Sequence, residues 1–160
     1  MHMHVVPWNV ANSWHCNMCG ICCKQYDVVL KFPEWLGIVK AFGAEYTAPT
    51  ISRFSLGRRT DGSCLFLQAA PTASFCGLQH AKPQACKLWP FKVLDKPKYG
   101  RPNDAVYNYG SRKLFVYVDP ACPGLRFGVP APEFAYSVVP EFVEIALGNC
   151  RRQFKSTAFL

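Results

Sequence analysis

Four cysteines lie close together near the start of the sequence and carry its strongest chemical signal. The run Cys16, Cys19, Cys22 and Cys23 places four thiols within eight residues. The two-residue spacing of the first three lets consecutive sulfurs converge on one centre, and this C-x2-C-x2-C spacing is the ligand pattern of bacterial-type [4Fe–4S] sites. Zinc also uses C-x2-C pairs and binds four thiolates in a tetrahedron. The run therefore predicts a metal–thiolate site and leaves iron–sulfur and zinc both open.

Later cysteines supply the further ligands that such a site needs. The fourth thiol of a bacterial-type cluster is remote and is typically followed by proline. Cys122 has this feature, because Pro123 follows it. Eight thiols are enough for two four-thiolate centres, and the candidates beyond the first run are Cys64, Cys76, Cys86 and Cys122.

Adjacent side chains such as those of Cys22 and Cys23 usually point apart, so we expect these two thiols to serve different centres. The preferred division places Cys16, Cys19, Cys22 and Cys122 at one centre and Cys23, Cys64, Cys76 and Cys86 at the other. One centre with several unligated thiols, or a shared binuclear site, fits nearly as well.

The remaining chemical groups give weaker signals. Cys150 stands beside Arg151 and is interpreted as an unligated helix residue. His15 and His80 could replace a thiol, but eight sulfurs make that unnecessary, so supporting or surface roles are predicted for both. The sequence has no paired-carboxylate pattern and no serine-centred nucleophile elbow, and we assign no catalytic residue.

Length and composition favour a folded, soluble protein. The chain has 160 residues, of which 50% are hydrophobic and 18% charged. No stretch approaches the ~18 unbroken apolar residues of a membrane span. The first residues lack a basic region followed by an apolar run and a cleavage site, so they do not resemble a secretory signal. A cytoplasmic location is expected, and a reducing cytosol would keep the nine cysteines available for metal.

The net charge is +8 with all thiols protonated. Eight thiolates on two centres of formal charge +2 would reduce it to about +4, a mildly basic value. Short basic runs could attract a phosphate backbone, although such runs are more often ordinary solvated surface. They are Arg58-Arg59, Arg112-Lys113, and Arg151-Arg152 with Lys155.

Short elements must position these thiols. A helix is predicted over residues 33–42, with Trp35, Leu36, Val39 and Phe42 on a buried face. One β-hairpin is predicted from strands at 50–56 and 63–68, and a second from strands at 105–109 and 113–118. A C-terminal helix is predicted to begin at Pro140, within a helical segment over about 132–155. Together these predict a small, irregular α+β single domain over residues 1–160, with two hairpins and short helices tied together by metal–thiolate sites.

The order of these cysteines resembles the YkgJ-like CxxCxxCC cysteine-cluster family, described as zinc- or iron-chelating proteins. The resemblance covers roughly residues 16–124. It is carried by the cysteine run from Cys16, by Gly62 to Leu67, by Cys76, by Lys82 to Pro90, and by Cys122-Pro123-Gly124. The family usually has arginine where this chain has Lys82 and Lys87, so the positive charge is kept without the planar fork of arginine.

The preferred function is an intracellular metalloprotein with one or two iron–sulfur clusters, at least one of them [4Fe–4S]. It would act in electron transfer or as a cluster-bearing accessory subunit, with a protein as redox partner or complex. The alternative is a zinc-binding structural module that contacts RNA or a protein complex. The resemblance also extends to flagellin lysine methylases, but the chain has no Gly-x-Gly-x-x-Gly run that would support a nucleotide-like cofactor.

Overall fold

A computed structural model describes residues 4–78, 81–150 and 153, and shows an α+β fold of short helices and small antiparallel sheets. The predicted fold class is confirmed. The described residues pack as two compact units, which we name the sheet unit (residues 4–17 and 88–150) and the loop unit (residues 18–78 and 81–87). The prediction of one domain over residues 1–160 stays a prediction.

In chain order, the strands are β1 (Val6–Pro7), β2 (Ala11–Trp14), β3 (Val29–Leu30), β4 (Phe54–Ser55), β5 (Leu67–Ala69), β6 (Ser74–Cys76), β7 (Phe91–Leu94), β8 (Val106–Tyr109), β9 (Arg112–Val118) and β10 (Leu125–Phe127). The α-helices are α1 (Ile21–Gln25), α2 (Phe32–Phe42), α3 (Gln84–Leu88), α4 (Pro102–Ala105) and α5 (Val139–Ala146). Two 3-10 turns, Trp8–Val10 and Ala44–Tyr46, and one π-helical segment, Phe134–Val138, complete the list. No helix in the described ranges is long and apolar enough to span a bilayer.

The sheet unit is built on an antiparallel four-stranded sheet in which β9 pairs with β1, β7 and β8. The predicted second hairpin is confirmed as β8 and β9, joined tightly enough that Tyr109 pairs with Arg112. Gly110 takes the positive φ of +59° that this turn needs. The strands alternate aromatic and β-branched residues, and α5 covers one face of the sheet unit's core with buried Val139, Phe142 and Val143.

The predicted C-terminal helix is confirmed within one residue as α5. Pro140 lies in its first turn, where a missing N–H costs nothing, and Gly148 follows its end at φ +79°. The predicted helical segment over about 132–155 begins earlier than α5 as a π-helical stretch with Phe134 buried. Part of its end, including Lys155, lies outside the described residues.

The loop unit contains only short elements: the pairs β3–β4 and β5–β6, and the helices α1 and α2 with α3 at its end. The predicted helix at 33–42 is confirmed as α2, and Gly43 ends it at φ +110°. The predicted buried face is wrong in part. Ile38 is the buried residue of α2, whereas Phe42 is 42% exposed, because the core of this unit is too small to cover a whole helix face.

The first predicted hairpin is wrong. Its strands pair elsewhere, β4 with β3 and β5 with β6, and only an isolated bridge joins Arg58 to Cys64. Within the expected turn, the Asp61 carboxylate accepts hydrogen bonds from the N–H and the hydroxyl of Ser63 at 2.8 and 2.6 Å. The Arg59 guanidinium binds backbone carbonyls that follow. These side-chain contacts stabilise a tight loop in place of a two-stranded ladder.

Candidate metal centre

The helix α1 places Cys22 and Cys23 side by side in the loop unit. Their Sγ atoms lie 4.0 Å apart, within hydrogen-bonding range for sulfur. The helix begins after Gly20, which has φ +76° and whose added Cβ would lie 2.8 Å from the Cβ of Ser74. Successive residues of a helix are rotated by about 100° rather than 180°. The two thiols therefore do not point apart as the sequence suggested.

A backbone hydrogen bond fixes Cys64 next to this helix. The N–H of Cys64 donates to the carbonyl of Cys23 at 2.7 Å, and the carbonyl of Cys64 accepts from the N–H of Leu67 at 3.1 Å. Cys64 is 6% exposed and belongs to the core cluster of the loop unit, against which Cys23, Cys76 and Cys86 also pack. The segment from Cys64 to Leu67, which we name the Cys64 turn, thus connects α1 to β5.

The strand β6 carries Cys76 opposite Leu67 of β5. The N–H of Leu78 donates a hydrogen bond to the Cys76 sulfur at 3.4 Å, a contact that stabilises a thiolate. The same strand holds the part of the cysteine run just before Cys19, because the N–H of Ser74 donates to the carbonyl of Met18 at 2.8 Å. This bond places half-buried Cys19 between β6 and the start of α1.

Cys86 is carried by α3, and Glu34 fixes the start of that helix. One oxygen of Glu34 accepts the N–H of Gln84 at 2.7 Å, and the other accepts the N–H of Lys31 at 2.8 Å. The first N–H groups of a helix have no partner within it, so a carboxylate there satisfies them and favours the helix dipole. One carboxylate therefore positions the starts of both α2 and α3.

Electrostatic interactions link five thiols of the loop unit, which we name the thiol group: Cys22, Cys23, Cys64, Cys76 and Cys86. Burial raises the pKa values of Cys76 and Cys86, and neighbouring members of the group raise them further. The hydrogen bond with Cys22, followed by burial, raises the pKa of Cys23. Several thiolates this close repel one another unless a cation compensates their charge. The thiol group therefore favours a bound metal ion.

The acidity of the thiol group gives a prediction for the metal-free protein: Cys22 is alkylated first near neutral pH. Its hydrogen bond with Cys23 lowers the pKa of Cys22 to about 7, and the charge of Lys82 also lowers it. Below that pH Cys22 is protonated, so its reaction with iodoacetamide, followed by peptide mass spectrometry, should slow as the pH falls through 7. Lys82→Met should move this profile to higher pH.

The matched control for this prediction is Lys40→Met, which removes an exposed lysine from α2 of the same unit. It should leave the pH profile of Cys22 unchanged. Equal shifts in the Lys82 and Lys40 variants, or faster alkylation of Cys150 than of Cys22 at pH 7, would contradict the assignment of a low pKa to Cys22.

The donor chemistry of the thiol group fits a soft metal. Two thiolates on one tetrahedral zinc ion, with Zn–S bonds near 2.3 Å, are about 3.8 Å apart. The 4.0 Å between Cys22 and Cys23 is close to that separation. No disulfide joins any of the nine cysteines. Among the described side chains, no group of three or more Cys, His, Asp or Glu converges to hold an ion. The eight-cysteine ligand set stays a prediction.

The sheet unit holds the other two predicted ligands, Cys16 and Cys122. Cys122 is 8% exposed, and its sulfur accepts a hydrogen bond from the indole N–H of Trp14 at 3.3 Å. The β2–β10 pair brings the chain after Trp14 close to the chain after Cys122, and the N–H of His15 donates to the carbonyl of Gly124 at 3.3 Å. A Cβ on Gly124 would lie 2.1 Å from the His15 oxygen, so only glycine fits there. Half-buried Cys16 packs against the same core.

The weaker candidates have varied positions. His15 is exposed, and Cys150 is half-buried just beyond α5. His80 lies outside the described residues, as do Arg151, Arg152 and Lys155. Arg112 forms an exposed ion pair with Asp95 at 2.9 Å.

Sequence reasoning missed three residues that support the thiol group: Arg58, Arg59 and Glu34. The sequence marked the arginine pair only as a basic run, whereas both side chains bind backbone carbonyls of the loop unit. No spacing pattern signals such contacts: those of Arg58 with Lys24 and Tyr26 join distant segments, and those of Arg59 with residues 64–67 depend on the path of an irregular loop. The glutamate had a local signal, since an acidic residue three positions into a helix typically caps it.

A family model described as "CxxCxxCC: Putative zinc- or iron-chelating domain" matches residues 15–123, more than half of the chain. The match begins just before Cys16 and ends just after Cys122, so it includes every predicted ligand. No curated protein and no solved structure gave a significant match.

Proposed function

The chain belongs to the CxxCxxCC family of zinc- or iron-chelating domains, and from this we propose that it is an iron–sulfur protein that carries at least one [4Fe–4S] cluster. Such a cluster supplies one-electron transfer when bound. In the loop unit, members of the thiol group, together with Cys19, would hold the cluster. The protein then acts as an electron carrier or as the cluster-bearing subunit of a complex.

The observation that carries this proposal is the gathering of thiols in the loop unit, where Cys23, Cys76 and Cys86 pack against the core that contains Cys64, and the Cys22 sulfur lies 4.0 Å from that of Cys23. A single zinc ion uses four thiolates. A [4Fe–4S] cluster is likewise held by four cysteines, so the number of thiols alone does not separate the two metals. Independently of this geometry, the C-x2-C-x2-C spacing of Cys16, Cys19 and Cys22 favours iron–sulfur over zinc, because it is the ligand pattern of bacterial-type clusters.

Hydrogen bonds to sulfur also support the iron–sulfur proposal. The N–H of Leu78 donates to Cys76, and in the sheet unit the indole of Trp14 donates to Cys122. Such bonds, together with solvent exposure, set the reduction potential of a cluster. Cys22, Cys23 and Cys76 are half-buried rather than deeply enclosed. This exposure suits a centre that exchanges electrons with a protein partner at its surface.

The test is purification without oxygen, followed by elemental analysis and absorption spectroscopy. The iron–sulfur proposal predicts iron and acid-labile sulfide in near-stoichiometric amounts, with a broad absorbance near ~400 nm that dithionite bleaches. A colourless protein that contains stoichiometric zinc and no sulfide would reject it.

Zinc is the second candidate, and the 4.0 Å separation of the Cys22 and Cys23 sulfurs favours it. This separation suits two ligands on one tetrahedral ion, which is the arrangement of a structural zinc site. A zinc protein would be inert to dithionite and would serve as a binding module for a protein complex or RNA. Arg58 and Arg59 give little support to RNA binding, because their guanidinium groups bind the protein's own backbone carbonyls.

A further inference from the structure

Two adjacent arginines hold the loop that carries Cys64. The Arg59 guanidinium donates to the carbonyls of Cys64, Leu65 and Leu67 at 2.7, 3.1 and 3.0 Å, and to the Ser63 hydroxyl at 3.3 Å. Four acceptors from five consecutive residues thus surround one side chain. Bonds from a charged donor are stronger than neutral ones, so this contact fixes the path of the Cys64 turn.

Arg58 fixes the same segment to the end of α1. Its guanidinium donates to the carbonyls of Tyr26 and Lys24 and forms an ion pair with Asp27 at 3.0 Å, while its Nε donates to the carbonyl of Gly62. The Arg58 side chain is 23% exposed but that of Asp27 is 57% exposed, so the carbonyl bonds rather than this ion pair hold the contact. Arg58 therefore joins the chain before Cys64 to the chain after Cys23.

These two contacts flank the hydrogen bond from the Cys64 N–H to the Cys23 carbonyl. We propose that Arg58 and Arg59 are positioning residues that hold the Cys64 turn against α1 in the metal-free chain, so that Cys23 and Cys64 are close together before metal arrives. This inference rests on the proposed metal-binding function. Preorganised ligands bind more tightly because less conformational entropy is lost on binding.

The planar guanidinium of Arg59, with its several N–H donors, is the feature that this contact with the Cys64 turn requires. Lysine keeps the positive charge but has a single donor nitrogen, so it cannot reach four acceptors at once. Arg59→Lys should therefore not preserve the wild-type stability of the Cys64 turn or the wild-type metal affinity. A role of the positive charge alone, either for solubility or for general attraction of thiolates, would be kept by lysine.

The experiment compares wild type with Arg59→Lys and Arg59→Met by two readouts. The first is amide hydrogen exchange at Cys64 and Leu67 in metal-free protein, which both substitutions should accelerate. The second is titration with Co²⁺, whose thiolate-to-metal absorption reports sulfur ligation. Loss of a residue that orients a ligand typically costs about 10–100-fold in metal affinity, and both variants should show a loss of this order.

Arg112→Lys is the matched control, because it alters an arginine ion pair of the sheet unit and should leave both readouts unchanged. If Arg59→Met does not fold, Arg58→Lys is the second test of the positioning role, because it keeps the positive charge beside Asp27 but loses the carbonyl bonds. Wild-type exchange and wild-type Co²⁺ affinity in Arg59→Lys and Arg58→Lys would overturn the inference. Wild-type protein that takes up no Co²⁺ would instead reject ligation of a single divalent ion by these thiols, and the exchange data alone would then decide the role of the arginines.

Discussion

Replacing Cys64 by serine is expected to abolish stoichiometric metal binding and to unfold the loop unit. Cys64 is 6% exposed and lies at the point where the Cys64 turn meets α1. The substitution removes a predicted thiolate ligand and leaves a buried hydroxyl that is a poor ligand for a soft metal. The loss of metal affinity should exceed the ~10–100-fold that removal of a supporting partner costs.

Elemental analysis and circular dichroism of the purified variant would measure both effects. Cys150→Ser is the matched control, because Cys150 is half-buried beyond α5 and is not among the predicted ligands. It should keep the metal content and the melting temperature of the wild type. Full metal content in the Cys64 variant would show that this thiol is not a ligand.

Removing the metal is expected to open the loop unit while the sheet unit stays folded. The strands of the loop unit have two or three residues, and each of its sheets has two strands. Isolated two-stranded pairs are marginal in water, and a unit of about 70 residues commonly needs a metal or disulfides for stability. The sheet unit has a four-stranded sheet and a larger buried core, to which Val116, Phe134 and Phe142 belong.

Hydrogen exchange with mass spectrometry, before and after chelation, would separate the two units. Peptides from residues 18–87 should lose protection, those from β7, β9 and α5 should keep it, and addition of metal should restore the first set. Equal protection of the loop unit with and without metal would mean that packing alone stabilises it, and the structural role of the metal would then be wrong.

The parts of the fold that local signals determine could be predicted from the sequence. The second hairpin follows from β-branched and aromatic residues on either side of Gly110, and α5 from a proline at its start and Gly148 after its end. In each case, residues close together in the sequence determine both where the element forms and where it ends. Nothing distant in the chain competes with these signals.

The first hairpin failed for the opposite reason. The Asp61-Gly62 pair does form a turn, but the strands on either side pair with other segments, β4 with β3 and β5 with β6. The helix α2 separates β3 from β4 in the chain. No local pattern marks a partner at that distance, so the sequence could not reveal this pairing.

The candidate site was predicted as a set of residue types rather than as an arrangement. Cysteine spacing identified the thiols that the structure links by electrostatic interactions, Cys76 and Cys86 among them. It did not indicate that Cys22 and Cys23 lie side by side, which depends on their position in a helix. The division of eight thiols between two centres stays a prediction.

X-ray absorption spectroscopy at the edge of the bound metal, on protein purified without oxygen, tests the central claim most directly. Thiolate ligation predicts a first shell of sulfur atoms at about 2.3 Å. A first shell of nitrogen or oxygen atoms, or the absence of stoichiometric metal, would contradict it.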